Sequence, residues 1–390
     1  MSIVVLLVLL LGLIGWFGSV GDGLSVQPTV PVASIMRQEP EAAEGASQAV
    51  GVSLAPEAAD CTRARGIQAR LRDAIGRSLS FFLATQDTLM GDLDRWPDQL
   101  EGSTDPEALY VAGGGFGHRP DHMAPSERIE RLGKALAVDT TNPMYLSSLL
   151  NLCTQHPSLP DCDLPDAERR LAEFDGDNGL SWALIGMSCA KREEAPCVVE
   201  AMERAAQAPA FRDYYIDRAL LMERVMGAAG ISFPMRSVAG FGFALEDLPS
   251  PVRVIEACRM IESPRLDHAC FGFGQRLEVE GGTMWTQSLG RAVLAVAAKR
   301  LGDEQAVEAV RARGKRANDE RLALHGDSSL AATNDVFTAR LLWDRDFFLD
   351  FMSHMRQVGE HQAYVDGARG WGTGPSECLT PMELLRPDDT

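Results

Sequence analysis

The chain has 390 residues, 45% of them hydrophobic and 24% charged, enough to bury a sizeable core of one or two domains. Its 55 acids against 37 bases give a formal net charge of −18. A field of that sign repels nucleic acid and anionic lipid headgroups and argues against both as general partners.

The first element is an apolar run, Ile3–Val20, interrupted only by Ser19. Its eighteen residues sit at the lower edge of a membrane-spanning length and exceed the core of an ordinary signal peptide. No small-x-small site follows it closely, and no cysteine stands directly after it. Residues 1–20 are therefore expected to be an uncleaved inner-membrane anchor. The bulk of the chain then faces the bacterial periplasm; the alternative is secretion after signal cleavage. Residues 21–60 follow, rich in Ala, Pro, Glu, Gly and Ser and without a 3.6 or 2 period. Such a composition cannot offset its ordering entropy and reads as a disordered spacer.

From Cys61 to the C-terminus the pattern is helical. Ile67, Leu71, Ile75, Leu79 and Phe82 form an amphipathic stripe in a helix expected to run to about Met90. Gly91 to Pro125 reads as a long irregular loop, of the kind that is often functional. Further helices are predicted to begin near Ser126, Pro143, Pro165, Leu180, Cys197, Tyr214, Pro234, Val252, Leu266, Thr283, Asp303, Asn334, Asp344 and Glu360. Asn142-Pro143 and Pro125-Ser126-Glu127 look like helix starts. No two-residue apolar alternation is sustained anywhere, so no sheet is expected. The fold class is all-α: paired helices of 61–390 in a helical-hairpin array with local disulfides.

Eight cysteines lie beyond the apolar run. Six fall into close pairs: Cys153 with Cys162, Cys189 with Cys197, and Cys258 with Cys270. Each pair brackets a proline-containing break between helices. A disulfide needs Cα atoms roughly 4.4–6.8 Å apart, whereas eight or nine residues along one helix span about 12–13 Å. Pairing therefore requires a chain reversal inside each bracket. Cys61 and Cys378 would pair by elimination. Zinc sites favour tighter C-x₂₋₄-C spacings, and behind an export signal structural disulfides are the better reading.

Trp182, Gly186 and Ala205, with Pro209 closing the second helix, resemble the tetratricopeptide and Sel1-like helical repeats, as does the turn LGDEQAVEA at Leu301–Ala309. The resemblance covers about half of the helical region and lacks the full Leu-Gly-Tyr pattern. It implies a right-handed α-solenoid and a scaffold or binding role. Its matching positions are packing residues, so no site carries over from it.

No Walker loop, Rossmann fingerprint, G-x-S-x-G or H-E-x-x-H motif is present. His118 and His122 flank Arg119-Pro120-Asp121, where Pro120 opposes the helix that would align the two rings. His354 and His361 are separated by Gly359, and WDRDFFLDF before them reads as an amphipathic helix with Phe347, Phe348 and Phe351 inside. Tyr214 and Tyr215 end an aromatic cluster that suits core packing, or a peptide groove. The function expected is a membrane-tethered scaffold binding a protein or peptide, without catalysis, metal or cofactor. Its candidate binding residues are Arg119, Asp121, His118, His122, Tyr214 and Tyr215. The alternative is an enzyme or ligand binder acting on cell-wall material or a small molecule through the 91–125 loop.

Overall fold

The computed structural model describes residues 100, 102–113, 124–246, 248–326, 337 and 340–368. The apolar run Ile3–Val20, the 21–60 spacer, the Ile67–Met90 helix, the helix start at Asn334, and Cys61 and Cys378 lie outside them. Among the described residues no helix is long and apolar enough to cross a membrane.

Fourteen helices lie within the described residues, beside a helical stretch at 340–343. They are α1 (Pro106–Gly113), α2 (Pro125–Val138), α3 (Pro143–Gln155), α4 (Leu164–Phe174), α5 (Gly179–Lys191), α6 (Ala195–Gln207) and α7 (Tyr215–Ala228). Then come α8 (Phe233–Glu246), α9 (Pro251–Arg259), α10 (Pro264–Glu280), α11 (Met284–Arg300), α12 (Glu304–Gly326), α13 (Arg345–Val358) and α14 (Glu360–Ala368). Every predicted start from Ser126 to Asp303, with Asp344 and Glu360, falls within two residues of an observed one. The only β pairing among them is an isolated bridge between Asn178 and Ala210.

Local chemistry explains these boundaries. The Asn142 side chain accepts the N–H groups of Met144 and Tyr145 with Pro143 at the first helical position, satisfying donors that have no partner inside the helix. Thr283 and Thr286 form a reciprocal capping box at the start of α11. Gly302 and Gly359 end helices with φ of 73° and 83°, a region open to glycine without penalty. One expectation is corrected. The 91–125 stretch is not irregular throughout, because residues 106–113 form α1, whose Tyr110 is wholly buried.

Consecutive helices pack as hairpins: α1 on α2, α3 on α4, α5 on α6, α7 on α8, α10 on α11 and α13 on α14. Packing also links α6 to α10, α5 to α9, α1 to α7 and α7 to α13. Two apolar cores result. The larger runs from α1 to α11. The smaller packs Tyr215 and Phe241 of α7 and α8 against Phe348, Phe351 and Met352 of α13. The prediction for WDRDFFLDF holds: Phe347, Phe348 and Phe351 are buried while Asp344 caps α13.

The three local cysteine pairs are disulfides, with Cα separations of 5.3 Å for Cys153–Cys162, 5.8 Å for Cys189–Cys197 and 6.0 Å for Cys258–Cys270. Each spans the break between successive helices, α3–α4, α5–α6 and α9–α10, as the reversal argument requires. In the chain-entropy picture each short loop contributes about 2–3 kcal/mol.

The α10–α11 hairpin is a close crossing. A Cβ on Gly274 would stand 2.6 Å from the Leu294 nitrogen, and one on Gly290 would fall on the backbone of Leu277 and Glu278. Gly290→Ala is expected to cost about 1–3 kcal/mol by prising the helices apart. Gly272→Ala, whose new carbon would meet only Ala206 Cβ at 3.5 Å, is expected to gain about 0.5–1 kcal/mol of helix propensity. Urea unfolding of the two variants checks the contrast.

Candidate functional site

The one predicted cluster within the described residues is the aromatic step at Tyr214 and Tyr215; His118, Arg119, Asp121 and His122 lie outside. The step sits on a clamp. Asn178, which caps α5, uses all four hydrogen bonds its amide can make. Its Oδ1 accepts the N–H groups of Leu180 (3.1 Å) and Arg212 (2.9 Å), and its Nδ2 donates to Asp175 (2.8 Å) and to the Arg212 carbonyl (2.8 Å). The Gly179 N–H donates to the Ala210 carbonyl at 2.8 Å, and the Ala210 N–H to that of Asp177 at 3.1 Å. Arg212 closes the clamp on Asp175 at 2.9 Å and on Asp177. Buried Asp175 also accepts the Ser181 hydroxyl.

Tyr214 follows in the left-handed region, φ 58°, where a bulky residue costs about 1–3 kcal/mol unless its surroundings impose it. The Asp213 carboxylate accepts the Tyr215 N–H at 3.0 Å and starts α7 from that corner. The Tyr214 hydroxyl is buried and makes no hydrogen bond. Burial first, and the nearby Asp175 carboxylate second, push its phenol well above the ordinary value. Tyr215 is buried in the smaller core, its ring 6.5 Å from that of Phe241.

Beside this step runs a buried polar seam. Arg218, 2% exposed, donates to the Tyr110 hydroxyl (3.1 Å), the Ser147 hydroxyl (3.2 Å) and the Asp213 carbonyl (2.6 Å). Tyr110 and Ser148 share a further bond of 2.8 Å. The Asp213 carboxylate accepts the Thr283 hydroxyl at 2.7 Å. Glu360, also buried, accepts the Met284 N–H at 2.6 Å and donates its own N–H to the Gly282 carbonyl at 2.9 Å. Two carboxylates thus share the start of α11. Burial pushes both up, Glu360 to about 7, and the Asp213 charge adds to the shift at Glu360. The void here is small, so the seam is a joint rather than a chamber.

The open feature lies elsewhere. A surface cleft of about 480 Å³ separates α2, α3 and α4. Leu136 and Leu149 line it, the half-exposed ring of Phe174 overhangs it, and Arg169, Arg170 and Glu173 stand at its rim. These residues were not legible as a site. Phe174 continues the buried spacing of Leu164, Ala167 and Leu171 and reads as core; it overhangs because α4 ends there. Gly133 leaves the cleft wall open, since a Cβ on it would meet nothing within 4 Å. No family model, curated protein or solved structure matches this chain.

The seam makes a pH prediction. Glu360 binds its proton more tightly in the folded chain, about 7 against an ordinary 4.5. Its contribution to stability is therefore fully present below about 4.5 and is lost as pH rises through about 7, since the folded state holds the extra proton in that window. Glu360→Gln keeps an acceptor for Met284 and carries no charge. Its urea midpoint is expected to change less than the wild type's between pH 5 and pH 8; parallel curves would contradict the assignment.

Proposed function

We propose that this chain is an exported, membrane-tethered helical scaffold in the bacterial periplasm that binds a protein or peptide in the α2–α4 cleft. The cleft carries the reading. It is open, apolar in its floor and rimmed by charge, the usual make-up of a recognition groove. Arg218 and Asn178, by contrast, are engaged within the fold, and the void beside Arg218 is too small for a peptide. Three local disulfides fit an oxidising compartment. The apolar run Ile3–Val20 fits an anchor, with secretion after cleavage as its alternative. Consecutive pairing of helices supports a tetratricopeptide- or Sel1-like array, in which side chains between neighbouring pairs form the binding face.

Panning a displayed peptide library against the whole chain tests this. Peptides with an apolar anchor are expected to be enriched. Gly133→Trp, which fills the cleft from an exposed position, is expected to weaken them about tenfold or more, equivalent to roughly 1.4 kcal/mol. Arg311→Ala, on an exposed stretch of α12, is expected to leave them unchanged. Enriched peptides that bind Gly133→Trp as tightly as the wild type would overturn the reading.

A further inference from the structure

The three described disulfides differ in their surroundings. Cys258 and Cys270 are both buried. Cys153 is buried and Cys162 half-buried. In the α5–α6 pair Cys189 is wholly buried, while Cys197 is half-buried in the first turn of α6. A guanidinium lies against this bond alone among the described residues. Arg192, in the turn between the helices, places Nη2 3.8 Å from Cys189 Sγ.

Arg192 is held there firmly. It donates twice to Glu168, at 2.9 Å through Nη2 and through Nη1, and twice to Glu194, at 3.0 and 2.9 Å. A fifth bond, 3.1 Å, runs to the Ser188 hydroxyl. Its two carboxylate partners hold it protonated. Glu168 is not a bystander, because its carboxylate lies within 4.8 Å of both sulfurs. Bare, it would repel any thiolate nearby. Arg192, shared with Glu194, offsets part of that charge, and the same cation lies against the buried sulfur.

Thiol–disulfide exchange needs an accessible sulfur to attack and a leaving sulfur whose negative charge is stabilised. Cys197 meets the first need. It sits in the first turn of a helix, where free amides favour an approaching anion. Cys189 meets the second through Arg192.

We propose that Cys189–Cys197 is a thiol-exchange site for a low-molecular-weight thiol. The thiolate attacks Cys197 Sγ and forms a mixed disulfide there. The Cys189–Cys197 bond breaks, and its electron pair leaves on Cys189 as a thiolate beside the positive charge of the Arg192 guanidinium. A second thiolate then attacks the external sulfur of the mixed disulfide. It releases the oxidised small disulfide, and Cys197 is left as a thiolate that takes a proton from water. Two small thiols are oxidised and one cystine is reduced. Arg192 is a positioning residue in this scheme.

The test uses the folded full chain and reduced glutathione as the probe. Samples are quenched by alkylation, digested and read by mass spectrometry. Cys189–Cys197 is expected to open at least tenfold faster than either other local pair, with the glutathione adduct on Cys197. Arg192→Ala is expected to slow that opening several-fold and leave the other two pairs unchanged, with Arg192→Lys in between. Glu168→Gln added to Arg192→Ala is expected to restore part of the rate, which a purely structural role for the arginine would not do. Simultaneous opening of all three pairs, earlier opening of another, or an adduct on Cys189 would overturn the proposal. If Arg192→Ala fails to fold, the wild-type order and adduct position decide alone.

Discussion

Arg218 ties together three stretches of chain that are far apart in sequence: Tyr110 on α1, Ser147 on α3 and the Asp213 carbonyl ahead of α7. A guanidinium this deeply buried costs free energy unless its donors are met. The positions of α1, α3 and the Asp213 corner are therefore coupled through one side chain. Other features follow from that coupling. The Asp213 corner is fixed, so Tyr214 is held in a backbone conformation it would not choose. The Asp213 carboxylate then reaches Thr283 and joins the start of α11 to α7, while Glu360 brings α14 to the same point. Hydrophobic burial supplies the two cores, and the seam between them sets how they meet.

That division of labour separates structure from recognition. Along the seam Arg218 and Asn178 engage their neighbours inside the fold, Asn178 through every hydrogen bond of its amide. The α2–α4 cleft instead presents a half-exposed aromatic ring and an open floor beside charged side chains. The disulfides act on a third scale. Each closes one turn between successive helices and leaves the longer-range arrangement to the cores and the seam.

Much of the local architecture was legible in the sequence because it is written locally. Asn142-Pro143 signals a cap, Gly302 and Gly359 signal helix ends, and eight- to twelve-residue cysteine separations demand reversals. What was not legible depends on contacts across long separations. Helix α1 hides in a glycine- and proline-punctuated stretch because its stability comes from burying Tyr110 against Tyr145 and Phe243, with ring centroids 4.4 and 5.6 Å away. Phe174 keeps the spacing of a core residue and yet overhangs a cleft. Arg218 looks like one more charge on an amphipathic helix, since nothing near it in sequence announces Tyr110 or Ser147.

The most direct test of the seam as a structural joint is urea unfolding of Arg218→Met, which keeps much of the side chain's volume, removes the charged donor to the Tyr110 and Ser147 hydroxyls and strands the Asp213 carbonyl. A hydrogen bond to a charged group contributes about 1.5–3 kcal/mol and a stranded carbonyl costs about 1–3 kcal/mol, so a loss of at least about 2 kcal/mol is predicted, in one cooperative transition. An unchanged or raised midpoint would contradict the account. It would mean that Arg218 is retained at the expense of stability, as residues kept for an activity are.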